Sequence, residues 1–156
     1  EVSLSLMLSR TPSANENVKP IANGVEIDVQ YADLKGNAIT IDKLQQGEEL
    51  LAKIRVKKTN DSSPSMALTY AIPSGWEIWN ERLTGGEESQ GATYTDIRDS
   101  RISWYFAIEQ GQTKEFAVRL RAAYGGQFVL PPTICEDMYS PSCRANTANG
   151  LTIVVR

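Results

Sequence analysis

Histidine is absent from the 156 residues. That absence removes serine–histidine–aspartate and cysteine–histidine catalysis and every imidazole metal site in one step. Carboxylate-pair glycoside hydrolysis, which needs no histidine, stays open. Cysteine is scarce: Cys135 and Cys143 are the two, close together near the C-terminal end. Their spacing fits neither a zinc knuckle nor a redox Cys-x-x-Cys. It leaves a local disulfide in an oxidising compartment, or two reduced thiols packed as small apolar groups. No apolar run approaches the roughly 20 residues that span a bilayer, so no direct membrane insertion is expected. The opening Glu1–Leu8 stretch is too short and lacks the basic leader of a signal peptide, which places any export signal upstream. A basic excess is missing too. The 16 basic and 19 acidic residues give a net charge of −3 and are interspersed, which argues against nucleic acid as a partner.

Helical periodicity is also lacking, and period-2 alternation stands in its place. Val2, Leu4, Leu6 and Leu8 alternate with mostly polar neighbours. Val25, Ile27, Val29 and Tyr31 do the same, as do Leu50, Ala52, Ile54 and Val56. So do Met66 through Ile72, Ile102 through Ile108, Phe116 through Tyr124, Phe128 with Leu130, and Leu151 through Val155. Asn23-Gly24, Gly36-Asn37, Gln46-Gly47, Pro73-Ser74-Gly75, Gly125-Gly126 and Asn149-Gly150 punctuate these runs as turns. One apolar and one polar face per strand predicts an all-β fold, an antiparallel two-sheet β-sandwich of immunoglobulin or fibronectin-III type. The length suits one domain over residues 1–156. Residues 11–22 read as a loop, so the strand within 1–12 belongs either to this sandwich or to the tail of a preceding domain.

Few residues suggest chemistry. Asp96 and Asp99 would be the acid and base of a glycosidase, but Arg98 and Arg101 beside them hold carboxylates ionised and spoil a general acid. No catalytic residue, metal site or cofactor is therefore expected. Glu87-Glu88 reads as a solvated loop tip, and the Asn60-Asp61-Ser62 glycosylation triplet carries no weight. Trp104 falls on an apolar strand face, whereas Trp76 and Trp79 follow a turn. With the Met138 loop, those two tryptophans support an alternative reading as a cell-surface adhesin-like or carbohydrate-binding module. Met138 and Tyr139 stand between acidic residues and Ser140-Pro141, where large apolar side chains either fold back on the domain or form a contact surface.

The order of motifs carries a resemblance. Asn23-Gly24 leads to the strand ending in Val29-Gln30-Tyr31, and Gly36-Asn37 and Gln46-Gly47 follow. Then come Ile72-Pro73-Ser74-Gly75-Trp76-Glu77-Ile78, Asn80-Glu81-Arg82-Leu83, Arg98-Asp99-Ser100-Arg101 and Arg119-Leu120-Arg121-Ala122. The series closes with Gly126 to Pro132 and with Glu136-Asp137-Met138-Tyr139 ahead of Arg144-Ala145. From about Gly24 onward the chain resembles the C-terminal macroglobulin-like domain of bacterial alpha-2-macroglobulins, and the last motif is the specific one.

The resemblance implies a non-catalytic domain of a protease trap, an endopeptidase inhibitor of the cell envelope or periplasm that serves in host defence. Such a protein would be secreted and anchored through the N-terminus of its full length. The implied partners are the thioester domain and neighbouring domains of the same polypeptide, with target proteases met through the full-length protein. The family's thioester joins a Cys and a Gln three residues apart on another domain. Here Cys135 leads to Met138 and Cys143 to Asn146, so it does not lie in this chain. Met138 and Tyr139 match the pair that covers the thioester before activation, and Arg98, Asp99 and Arg101 are candidate interdomain contacts. Ser100 stands where the family has aspartate, and the flanking cysteines depart from its pattern. A disulfide between Cys135 and Cys143, bracketing the pair, would rigidify the loop that presents it.

Overall fold

The computed structural model describes residues 18–79 and 91–156. The expected strand at residues 2–8 and the Glu87-Glu88 tip lie outside them, as does Asn80-Glu81-Arg82-Leu83. Among the described residues thirteen strands run β1 (Ile21–Asn23), β2 (Val25–Ala32), β3 (Lys43–Leu44), β4 (Glu49–Lys58), β5 (Ser65–Ala71), β6 (Trp76–Ile78) and β7 (Tyr94–Arg98). They continue as β8 (Arg101–Ala107), β9 (Thr113–Ala122), β10 (Gly126–Val129), β11 (Ile134–Asp137), β12 (Arg144–Asn146) and β13 (Thr152–Val155). A six-stranded sheet in the order β1-β12-β11-β5-β8-β7 and a four-stranded sheet in the order β2-β4-β9-β6 are antiparallel throughout. The two large sheets form the expected sandwich, and a small third sheet, β10-β13-β3, is added to it with one parallel pair, β13 with β3.

Alternation fixes which faces meet. Leu50, Ala52, Ile54 and Val56 of β4 and Met66, Leu68 and Tyr70 of β5 are buried, as are Phe116, Val118 and Leu120 of β9. Each large apolar side chain so removed from water contributes about 1.5–3 kcal/mol. The two large sheets interlock through aromatics. Phe116 of β9 lies 5.3 Å from Trp104 and 4.8 Å from Phe106 of β8, between ring centroids. At another point the Tyr70 hydroxyl donates to that of Tyr31 across the sheets at 3.2 Å. Outward, β2 and β4 set Glu26 opposite Lys57 and Asp28 opposite Arg55, a face built for water.

Several boundaries differ from the sequence reading. Residues 21 and 22, expected in a loop, begin β1. The charged stretch around Asp96, which shows no apolar alternation, forms strand β7. Tyr124 and Leu151 lie outside the strands and are exposed, because the inward alternation of β9 ends at Ala122 and that of β13 begins at Ile153.

Candidate functional site

Strand β11 enters between β5 and β12 and ends at Asp137. The chain then reverses through Ser140–Cys143, where the Cys143 N–H donates to the Ser140 carbonyl at 2.9 Å. Pro141 supplies the fixed φ that suits the second place of such a turn. The Asp137 side chain organises the reversal. Its Oδ1 accepts hydrogen bonds from the backbone N–H groups of Tyr139 (2.8 Å) and Ser140 (3.0 Å), an aspartate-centred turn. The Met138 N–H donates to the Ser65 carbonyl at 3.0 Å, tying the tip to the start of β5. Met138 is left 51% exposed and Tyr139 76% exposed. Neither side chain folds back into the core.

Beneath this tip lies a buried charge pair. Lys58, the last residue of β4, is fully buried, and its Nζ stands 3.8 Å from Asp137 Oδ2. Nζ also donates to Ser62 Oγ at 2.9 Å and to the Ser63 carbonyl, with Met66 Sδ at 3.7 Å. A buried ammonium survives only if it is paired and hydrogen-bonded, and these groups supply both. Burial pushes the Asp137 carboxyl upward. The N–H of Tyr139, the nearby Ser62 hydroxyl, the N–H of Ser140 and the Lys58 charge outweigh that and hold it below the usual aspartate range. Ser62 Oγ and the Cys143 thiol both point to Asn60 Oδ1, at 3.0 and 3.6 Å. Gly24 closes the cluster with φ +75°, and a Cβ there would stand 2.3 Å from Asn60 Nδ2 and 2.9 Å from Cys143 Sγ. Backbone conformation and space therefore both require glycine.

The two cysteines, expected to be bridged, stand as separate thiols. Both are buried free thiols. The β11–β12 register pairs Cys135 with Ala145 and Glu136 with Arg144, while the Cys143 carbonyl accepts from the Asp137 N–H. The reversal is centred later than a symmetric bracket around the Met-Tyr pair requires, so the two thiols sit diagonally rather than face to face. Burial, then the neighbouring Cys143 and Glu136, push the Cys135 thiol up to about 12 against the pull of Lys58.

Arg98, Asp99 and Arg101 sit exposed at the β7–β8 hairpin, where Arg98 pairs across from Arg101. Arg98 Nε reaches Asp96 Oδ2 at 3.0 Å, which occupies the carboxylate that a glycosidase reading would need. This hairpin is not brought to the tip. Arg101 aligns with Ala71 at the end of β5, whereas Met138 binds Ser65 at its start, about 20 Å away by strand rise. Trp76 is buried with its ring edge-on to Tyr31, so it is no sugar platform. Trp79 is exposed, but the Arg119 guanidinium lies over its ring at 4.8 Å and is itself bound to Glu49 at 2.6 Å.

Sequence reasoning found the tip and missed its support. Lys58 carried a usable signal: extending the alternation Leu50, Ala52, Ile54, Val56 by one step places residue 58 on the core face.

The sequence model of the bacterial alpha-2-macroglobulin MG10 domain matches residues 24–142. The alpha-2-macroglobulin of Pasteurella multocida is 27% identical over 144 residues, covering 91% of this chain and 7% of that protein. Native Escherichia coli alpha-2-macroglobulin, solved from domain MG7 to the C-terminus, superposes with a TM-score of 0.79 at 25% identity, covering 88% of this chain and 24% of that one. Salmonella alpha-2-macroglobulin reacted with methylamine gives 0.79 at 25% identity, covering 90% and 10%. The chain thus spans less than a tenth of the length of the Pasteurella relative.

Proposed function

The chain belongs to the bacterial alpha-2-macroglobulin MG10 domain family, and from that premise we propose that it is a non-catalytic domain of a protease trap whose Met138–Tyr139 tip shields the thioester of another domain before activation. The observation that carries this reading is the tip itself: two large, mostly exposed side chains on a reversal held from below by buried groups. A thioester carbonyl is lost to any water or amine that reaches it. A methionine that adapts to the opposing surface and a tyrosine that covers it with an aromatic plate exclude both. Methylamine, the amine with which the Salmonella relative has been reacted, is a small nucleophile suited to probe such exposure.

In this reading the partners are the thioester domain and neighbouring domains of the same polypeptide, and target proteases meet the full-length protein in the periplasm or cell envelope. In this reading the chain is one domain, and the expected strand within 1–12 lies outside the described residues. Arg98, Asp99 and Arg101, at the far end of β5, contact a different neighbouring surface from the tip.

The test is Met138→Ala with Tyr139→Ala. In the 156-residue chain the stability should change by less than about 1 kcal/mol, as for exposed positions. In the full-length protein, methylamine should consume the thioester and release its thiol at least about ten-fold faster without protease, a loss of roughly 1.4 kcal/mol of protection. An unchanged consumption rate overturns the reading.

A further inference from the structure

We propose that Lys58 is a positioning residue for the tip, setting the direction of Tyr139 through the Asp137 carboxylate. The geometry forms a chain of dependence. The amides of Tyr139 and Ser140 both donate to one oxygen, Asp137 Oδ1. The other oxygen faces Lys58 Nζ at 3.8 Å. Oδ2 accepts no hydrogen bond among the described residues, so the charge of the fully buried ammonium is what draws that oxygen inward and leaves Oδ1 to the two amides that shape the tip. Lys58 is itself fixed by Ser62 Oγ and the Ser63 carbonyl, which belong to the loop between β4 and β5. The pair thus ties the last residue of β4 in the four-stranded sheet to the last residue of β11 in the six-stranded one.

Cohesion alone does not call for this arrangement. An apolar pair of similar volume at two facing core positions generally holds a sandwich as well as or better than a buried ion pair. What charge adds is direction, because the attraction of an ammonium 3.8 Å from Oδ2 favours one rotation of the carboxylate and so one angle for Oδ1. That angle is what Tyr139 and Ser140 read. Only the consequence for the thioester rests on the shielding function; the control of the tip does not.

Amide hydrogen exchange tests it. Lys58→Met combined with Asp137→Asn removes both charges, conserves volume and keeps an oxygen acceptor where Oδ1 lies. In the 156-residue chain, exchange at Tyr139 and Ser140 should accelerate about ten-fold while Ile54 and Leu68 stay within about two-fold, the pattern of local opening. Unchanged exchange at Tyr139 and Ser140, or equal acceleration at all four, overturns the proposal by making Lys58 a stability residue only. Should the double variant not fold, Ser62→Ala decides. It removes one Lys58 acceptor and should accelerate the same two amides about three-fold, and no change there overturns the proposal. Full-length protein with the same substitutions separates the two readings. A loosened tip without faster methylamine consumption upholds the role of Lys58 and overturns shielding. A tip that does not loosen overturns the role of Lys58 whatever methylamine does.

Discussion

Asp137 joins two tasks in one carboxylate, and its titration should show it. Its folded pKa lies below the unfolded one, so its stabilisation is fully present above about pH 4 and disappears as pH falls through the lower folded value. Melting temperature followed from pH 7 to pH 2 should therefore drop through the acid range, and Asp137→Asn should flatten that drop while lowering stability at neutral pH, where Lys58 is left unpaired. Asp33, held down chiefly by Asn37, shares the direction, so the difference between variant and parent isolates Asp137. An identical acid slope in both would show that the buried carboxylate is not what titrates. The thiols give a second expectation at this scale. Cys135 and Cys143 are buried, and burial keeps the Cys135 thiol protonated far above neutral pH. A thiolate-directed alkylating reagent should leave both untouched in the folded chain and modify both after unfolding without reductant, read by mass. Protein that gains no label after unfolding contains the disulfide.

The tight approach of two elements leaves no room for a side chain at Gly75 unless the Phe128 ring moves. A Cβ there would fall 2.2 Å from the Phe128 ring, within the turn that starts β6. Gly75→Ala should cost about 1–3 kcal/mol through forced displacement of the ring, measured by denaturant unfolding. The long elements were legible because alternation over seven to ten residues leaves one consistent face, as in β4, β5 and β9. The short ones were not. β3 has two residues, and β1 is exposed along its length, so neither shows a period. β7 was hidden by composition: its most buried residue is Thr95, and charged neighbours mask the inward Ile97. Met138 and Tyr139 stood out as apolar residues in a polar setting. Register was the illegible quantity. A shift of the turn's centre by one residue separates Cys135 from Cys143, and only the pairing of β11 with β5 and β12 fixes that centre.

At the scale of the molecule, the tip belongs to no single stretch of chain. Lys58 ends β4, Ser62 and Ser63 follow it, and Asp137 arrives on a strand that inserts between β5 and β12. Asn146 of that neighbouring strand reaches Lys19, 127 residues earlier. Pairing of this kind carries a loop-closure cost before any contact rewards it, and all-β domains of this sort fold in about milliseconds to seconds. The charge pair joining β4 to β11 has a temporal consequence, because it can close only once both sheets exist and the β11 hairpin has docked. Interactions made after the rate-limiting barrier leave the folding rate alone and slow unfolding. In stopped-flow experiments on the tryptophan signal, Asp137→Asn alone, which leaves the buried Lys58 unpaired, should therefore accelerate unfolding and leave refolding within about two-fold of the parent. Slower refolding instead would place the pair in the folding nucleus. If the pair closes late, the chain acquires its sandwich first and its oriented tip last.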